Sequence, residues 1–108
     1  MNPRARRELN AYLGVFSRAH LRPPTVTSTD RTSAEQGALV TQGRGVPVSK
    51  HVYGLAADII PAPDWPFRVT LAGLAANVRA WLPWVEAFPH GAAGRSPDHV
   101  HIEWPWGY

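Results

Sequence analysis

Between Pro3 and Arg18 the apolar residues Leu9, Tyr12, Leu13 and Phe16 recur at helical spacing, with arginines on the other side. The pattern predicts a helix over Pro3–Arg18. Pro3 suits a first helical turn, and Pro23-Pro24 forbid continuation. Thr25-Val26-Thr27-Ser28 is short and β-branched and reads as a strand. Ser33 to Val40 reads as a short helix capped by Ser33, with Glu35 and Gln36 in its first turn. Gly43-Arg44-Gly45-Val46-Pro47 reads as a loop. Leu55 to Ile60 reads as a strand ended by Pro61. A second helix is predicted from about Val69 to Leu82, with Leu71, Leu74, Ala75, Val78 and Leu82 on one stripe. Trp84–Phe88 and His99–Trp104 are the last two strand candidates. The expected fold is α+β: a small antiparallel sheet with helices packed on one side, in a single domain over 1–108.

A chain of 108 residues suits one compact core without staples. It contains no cysteine, which removes disulfides, thiolate metal ligands and thiol nucleophiles, so any metal must be held by nitrogen and oxygen. The formal charge of +3 is weighted toward the first stretch, at Arg4, Arg6, Arg7, Arg18 and Arg22. Such a face could meet nucleic acid, anionic lipid or an anionic wall polymer, or could simply be solvated. No basic run is interleaved with aromatics, so nucleic acid is not the expected partner. No apolar run approaches the ~18 residues of a membrane span, and no apolar stretch follows the charged start as in a secretory signal.

Two local patterns carry chemistry. In Ser49-Lys50-His51-Val52-Tyr53-Gly54-Leu55-Ala56-Ala57-Asp58, a carboxylate lies inside an otherwise apolar strand. Burying Asp58 is costly unless it is paired or binds a metal, and a salt bridge to an arginine is the plain alternative. In Asp98-His99-Val100-His101, positions i and i+2 of a strand share a face, so His99 and His101 point the same way. That arrangement suits a metal, one ligand with a hydrogen-bonding neighbour, or two ordinary half-buried histidines. Taken together, two imidazoles and one carboxylate would leave a fourth tetrahedral position open, the catalytic arrangement of zinc. Asp98, three residues before His101, is the available carboxylate for a general base.

The two patterns in this order resemble the M15 metallopeptidases, which include D-Ala-D-Ala carboxypeptidases and dipeptidases and phage L-alanyl-D-glutamate endopeptidases. The match reads Ser49, His51, Gly54, Ala57 and Asp58, then Asp98, His99 and His101, with Ser28-Thr29-Asp30-Arg31-Thr32 resembling the family's Ser-x-x-Arg segment. The resemblance covers roughly Val26 to Trp104. It implies a hedgehog/DD-peptidase-like fold and Zn2+ held by His51, Asp58 and His101. It further implies Asp98 as general base, His99 lining the site beside the developing oxyanion, and Arg31 and Ser49 binding substrate. The expected activity is hydrolysis of peptide bonds in the peptidoglycan stem peptide or cross-link, by a monomer that is a phage endolysin or virion-associated lysin. Such a protein would reach the wall through lysis or within a virion. The competing expectation is a non-catalytic, metal-stabilised wall-binding or virion module.

Other residues receive lesser roles. His90, between Pro89 and Gly91, reads as an exposed loop histidine, with a fourth ligand or a place lining the cleft as the alternatives. His20 falls at the end of the first helix, where it can interact with the dipole. Glu103 is read as alternating away from the His99/His101 face, which favours Asp98 as base. Trp81 and Trp84 are expected in the core. Trp104 and Trp106 are expected either to wall the site or to pack at the edge and tether the C-terminus.

Overall fold

The computed structural model describes residues 1–29 and 50–108. The helix expected at Ser33–Val40, the loop at Gly43–Pro47, and the two substrate-binding candidates Arg31 and Ser49 lie outside the described residues.

Helix α1 (Pro3–Arg18) starts at a cap that the apolar pattern does not mark. The side chain of Asn2 accepts from the N–H groups of Arg4 and Ala5, at 3.0 and 3.1 Å, and Pro3 occupies the first turn. At its far end Ala19 bonds back to Val15 and Phe16. His20 follows in the left-handed region at φ 59°, so it turns the chain away and lies just past the last helical turn. Strand β1 (Thr25–Ser28) comes after the two prolines, and β2 (Ala56–Ile60) ends before Pro61. Thr70 caps α2 (Leu71–Trp81) by accepting from Gly73 N–H at 2.9 Å. Strands β3 (Glu86–His90) and β4 (His99–Glu103) complete the chain.

The four strands form one antiparallel sheet in the order β1-β2-β4-β3. Ala57 of β2 and Ala87 of β3 flank Ile102 of β4, and Ile59 lies opposite Val100. These five side chains share one face and enter a single hydrophobic cluster. Ala5, Leu9 and Tyr12 of α1, Leu74, Ala75 and Val78 of α2, and Trp104 belong to the same cluster. Tyr12 also donates through its hydroxyl to Asn77 Oδ1 at 2.8 Å, joining the two helices. The fold is thus α+β, with helix packed on strand. Each core aliphatic fully removed from water contributes about 1.5–3 kcal/mol.

Three readings change. Trp81 and Trp84 are half-exposed, not core. The buried positions of α2 are Leu74, Ala75 and Val78, and Trp81, at the last residue of the helix, stands exposed. The Trp84 indole N–H donates to Glu8 Oε1 at 2.6 Å, which holds its polar edge at the surface. Trp104, by contrast, is fully buried and donates to the same oxygen at 3.0 Å. Tyr108 adds its hydroxyl to Glu8 as well, so the end of the chain is tied to α1. Finally, β3 begins two residues later than expected and runs through Pro89 to His90. As an edge strand it tolerates a proline that a central strand would not.

Candidate metal centre

The opposite face of the same strands is polar. Asp58 of β2 lies directly across from His101 of β4, with Phe88 of β3 on the far side of His101 and His90 across from His99. His51 arrives from a turn before β2. The Lys50 carbonyl accepts from Tyr53 and Leu55 N–H, and the His51 carbonyl from Gly54 N–H. Gly54 closes this turn at φ +70°, and a Cβ there would stand 2.8 Å from the backbone nitrogen of Asn2. Only glycine fits. The Gly54 carbonyl accepts from Asn2 N–H at 2.9 Å, which pins the turn to the start of α1.

The result is a cluster of His51, Asp58 and His101 whose ligand atoms all lie within 4.8 Å of one another. His51 is 2% exposed and Asp58 6%. Asp58 Oδ1 stands 3.1 Å from His51 Nε2 and 2.9 Å from His101 Nδ1. The outer nitrogens of both rings already have partners. His51 Nδ1 is 2.8 Å from the backbone carbonyl of Thr29, just past β1, and His101 Nε2 is 3.0 Å from Glu103 Oε1. A carbonyl and a carboxylate can only accept, so a ring that offers its inner nitrogen as a ligand carries its proton on the outer one. In neutral rings the inner nitrogens then present lone pairs to the lone pairs of Asp58. A proton on each ring, or one shared cation, resolves that conflict.

The spacing suits the cation. Donors about 2.0–2.1 Å from a tetrahedral ion stand about 3.3 Å apart, close to the 3.1 and 2.9 Å that separate the two imidazoles from Asp58. The outer hydrogen bonds are also the supports that histidine ligands use to fix ring orientation. Among the described residues this triad is the only grouping of its kind, and it could hold a metal ion.

Burial alone would raise the pKa of Asp58, but hydrogen bonds from His101 and His51 and the charges of His51 and His99 reverse this. Its carboxyl stays well below the usual carboxylate range. Burial works against the charged form of His101, yet the hydrogen bond and charge of Asp58, then those of Glu103, raise its pKa. Burial, followed by the charges of His101 and His99, lowers that of His90.

The remaining candidates surround the triad. His99 directs Nε2 to within 3.6 Å of Asp58 Oδ1, and its Nδ1 lies 2.7 Å from Asp98 Oδ1. Asp98 sits just before β4, its N–H bonded to the His90 carbonyl at 3.1 Å, with a side chain 78% exposed. It meets the cluster through His99. Two placements differ from the sequence reading. His90 is exposed but belongs to β3, not a loop, and its ring centre lies 5.5 Å from that of His99 and 5.7 Å from that of His101. Glu103 shares the face of His99 and His101, as a two-residue period requires, and touches His101. The support from Thr29 is a backbone carbonyl, which no side-chain pattern could have marked.

Compared with models of known protein families, with curated proteins and with solved structures, the chain shows no match. The centre has to be read from its own chemistry. Among the described residues, no helix is long and apolar enough to cross a membrane.

Proposed function

We propose that this chain is a zinc-dependent peptidase that hydrolyses peptide bonds in the bacterial cell wall. The observation that carries the reading is the convergence of two oriented imidazoles and one buried carboxylate on a common point. The order and spacing of His51, Asp58, Asp98 and His101, which resemble the M15 peptidases, support it further. A nitrogen–oxygen donor set of three suits zinc with a position left for water or substrate.

When bound, zinc supplies Lewis-acid polarisation of the scissile carbonyl and a lowered pKa for water. The chain's own residues do the rest. His51, Asp58 and His101 fix the point of attack beside β4. Asp98, exposed and steadied by His99 Nδ1, takes the proton of the attacking water and returns it to the departing amine. Water oxygen joins the carbonyl carbon, and the carbon–nitrogen bond breaks. His99 stands beside the oxyanion that forms. Arg31 and Ser49 hold the substrate, Arg31 through a charge-assisted bond to a carboxylate or polarised carbonyl.

Purified sacculi digested by the zinc-loaded protein should release new amino groups, and mass spectrometry of the muropeptides should identify the bond. His101→Ala should abolish the release. Asp98→Ala should lower it by about 10²–10⁴-fold while zinc still binds. A protein that zinc stabilises but that leaves sacculi intact is instead a metal-stabilised wall-binding or virion module. The burial of His51 and Asp58 is what keeps that second reading in view.

A further inference from the structure

We propose that Glu103 is a positioning residue of the metal centre, and that Lys50 holds it on its target. The inference rests on the reading of His51, Asp58 and His101 as metal ligands. It concerns a residue that the two-residue period of β4 places on the face of His99 and His101.

Glu103 Oε1 lies 3.0 Å from His101 Nε2. Its second oxygen, Oε2, lies 3.8 Å from Lys50 Nζ. The lysine has little freedom to leave. Its ammonium donates to the Trp104 carbonyl at 2.8 Å, sits 4.9 Å from the centre of the Trp106 ring, and its side chain is only 14% exposed. Lys50 directly precedes His51, and Glu103 follows His101 by two residues on the same face. The pair therefore spans the two ligand-bearing segments from behind, His51 on the turn and His101 on β4.

The chemistry follows from the two forms of an imidazole. A neutral His101 with its proton on Nδ1 would donate to Asp58 Oδ1 at the 2.9 Å separation found here, and would present no lone pair to an ion. Binding a cation would first require breaking that bond. Glu103 offers an acceptor on the other side and favours the proton on Nε2, which frees Nδ1 as the ligand atom. A carboxylate behind a histidine also raises its basicity toward the metal. Lys50, at Oε2, keeps the carboxylate directed at the ring without competing for the oxygen that faces His101.

The test uses the full chain and Co2+, with zinc affinity measured by competition against a chelator. Glu103→Ala should weaken metal binding by about 10–100-fold and alter the visible absorption of bound cobalt. Glu103→Gln, whose amide oxygen can accept the same hydrogen bond, should stay within about fivefold of the parent, and Lys50→Met should fall between the two. Urea unfolding of the metal-free variants separates a lost ligand orientation from a lost fold. Equal affinity and spectrum in the parent and Glu103→Ala overturns the proposal. So does an equal loss in Glu103→Gln and Glu103→Ala, since an acceptor role predicts rescue. A parent that binds neither cobalt nor zinc overturns this inference and the proposed function together. Metal binding with intact dependence on Glu103 but no cleavage of sacculi removes the peptidase reading alone.

Discussion

The two faces of the sheet are made by the same strands, and often by adjacent residues, yet they obey opposite rules. Ile59, Val100 and Ile102 give one face that excludes water and joins the helices. One step along each strand, Asp58, His99 and His101 put three polar side chains on the other face, where both imidazoles meet the carboxylate. The apolar face is stabilised by area, which many residues share and no single pairing defines. The polar face depends on direction, because each imidazole must offer a particular nitrogen. Alternation along a strand lets both exist within five residues of β4.

That contrast can be broken most forcefully by one substitution on each face of β4. Ile102→Ala should cost about 2–5 kcal/mol of metal-free stability, since it empties a fully buried site. It should nevertheless keep the stabilisation that zinc confers, about 4 kcal/mol at roughly a thousand times Kd. His101→Ala should lose that metal-dependent increment. Urea melts with and without zinc read both effects, and a metal increment lost in Ile102→Ala would show that the faces are not independent.

A smaller effect should appear with pH. The depressed pKa of Asp58 contributes stability that is present above the ordinary carboxylate value of about 3.9 and is lost as acid protonates it. The raised pKa of His101 contributes stability that is present below the ordinary imidazole value of about 6.5 and fades as pH rises through its folded value. Unfolding midpoints of the metal-free protein should therefore peak between those limits. With zinc present the trend across neutral pH should reverse, because the ligands must shed protons to bind it. The same slope in both series would remove the metal from the explanation.

The smallest change is expected from His90→Ala. His90 flanks His99 and His101 but stands outside the triad, so zinc affinity should shift by less than the 10-fold that separates a supporting partner from a neighbour. A larger loss, measured by chelator competition, would enlarge the ligand set.

Much of this division was legible from residue order. Asp58 stands out because an acid among alanines and isoleucines needs a reason, and the His-x-His step alone puts two imidazoles together. Both helices are visible from their stripes, and the end of the first from the prolines that follow it. The misreadings have physical causes. Glu103 follows His101 by two, so the period that paired the histidines also includes it, and treating it as facing away broke that rule. His90 was assigned to a loop because proline and glycine flank it, but proline is permitted on the outer strand of a sheet. Trp81 and Trp84 are expected in the core, yet an indole also has an N–H to satisfy, and Trp84 does so at Glu8. Arg31 and Ser49 lie outside the described residues, and their roles rest on the motif.

Asn2 carries a practical consequence for anyone shortening this protein. Its side-chain oxygen caps α1, its backbone N–H holds the Gly54 carbonyl, and its amide nitrogen donates to Tyr108. Trimming through that single position would uncap a helix and remove a tether from both the bend that delivers His51 and the last residue in one cut. Deletion series should therefore begin elsewhere, and exchanging Asn2 for alanine is the gentler way to learn how far the grip of the metal depends on a residue that never touches it.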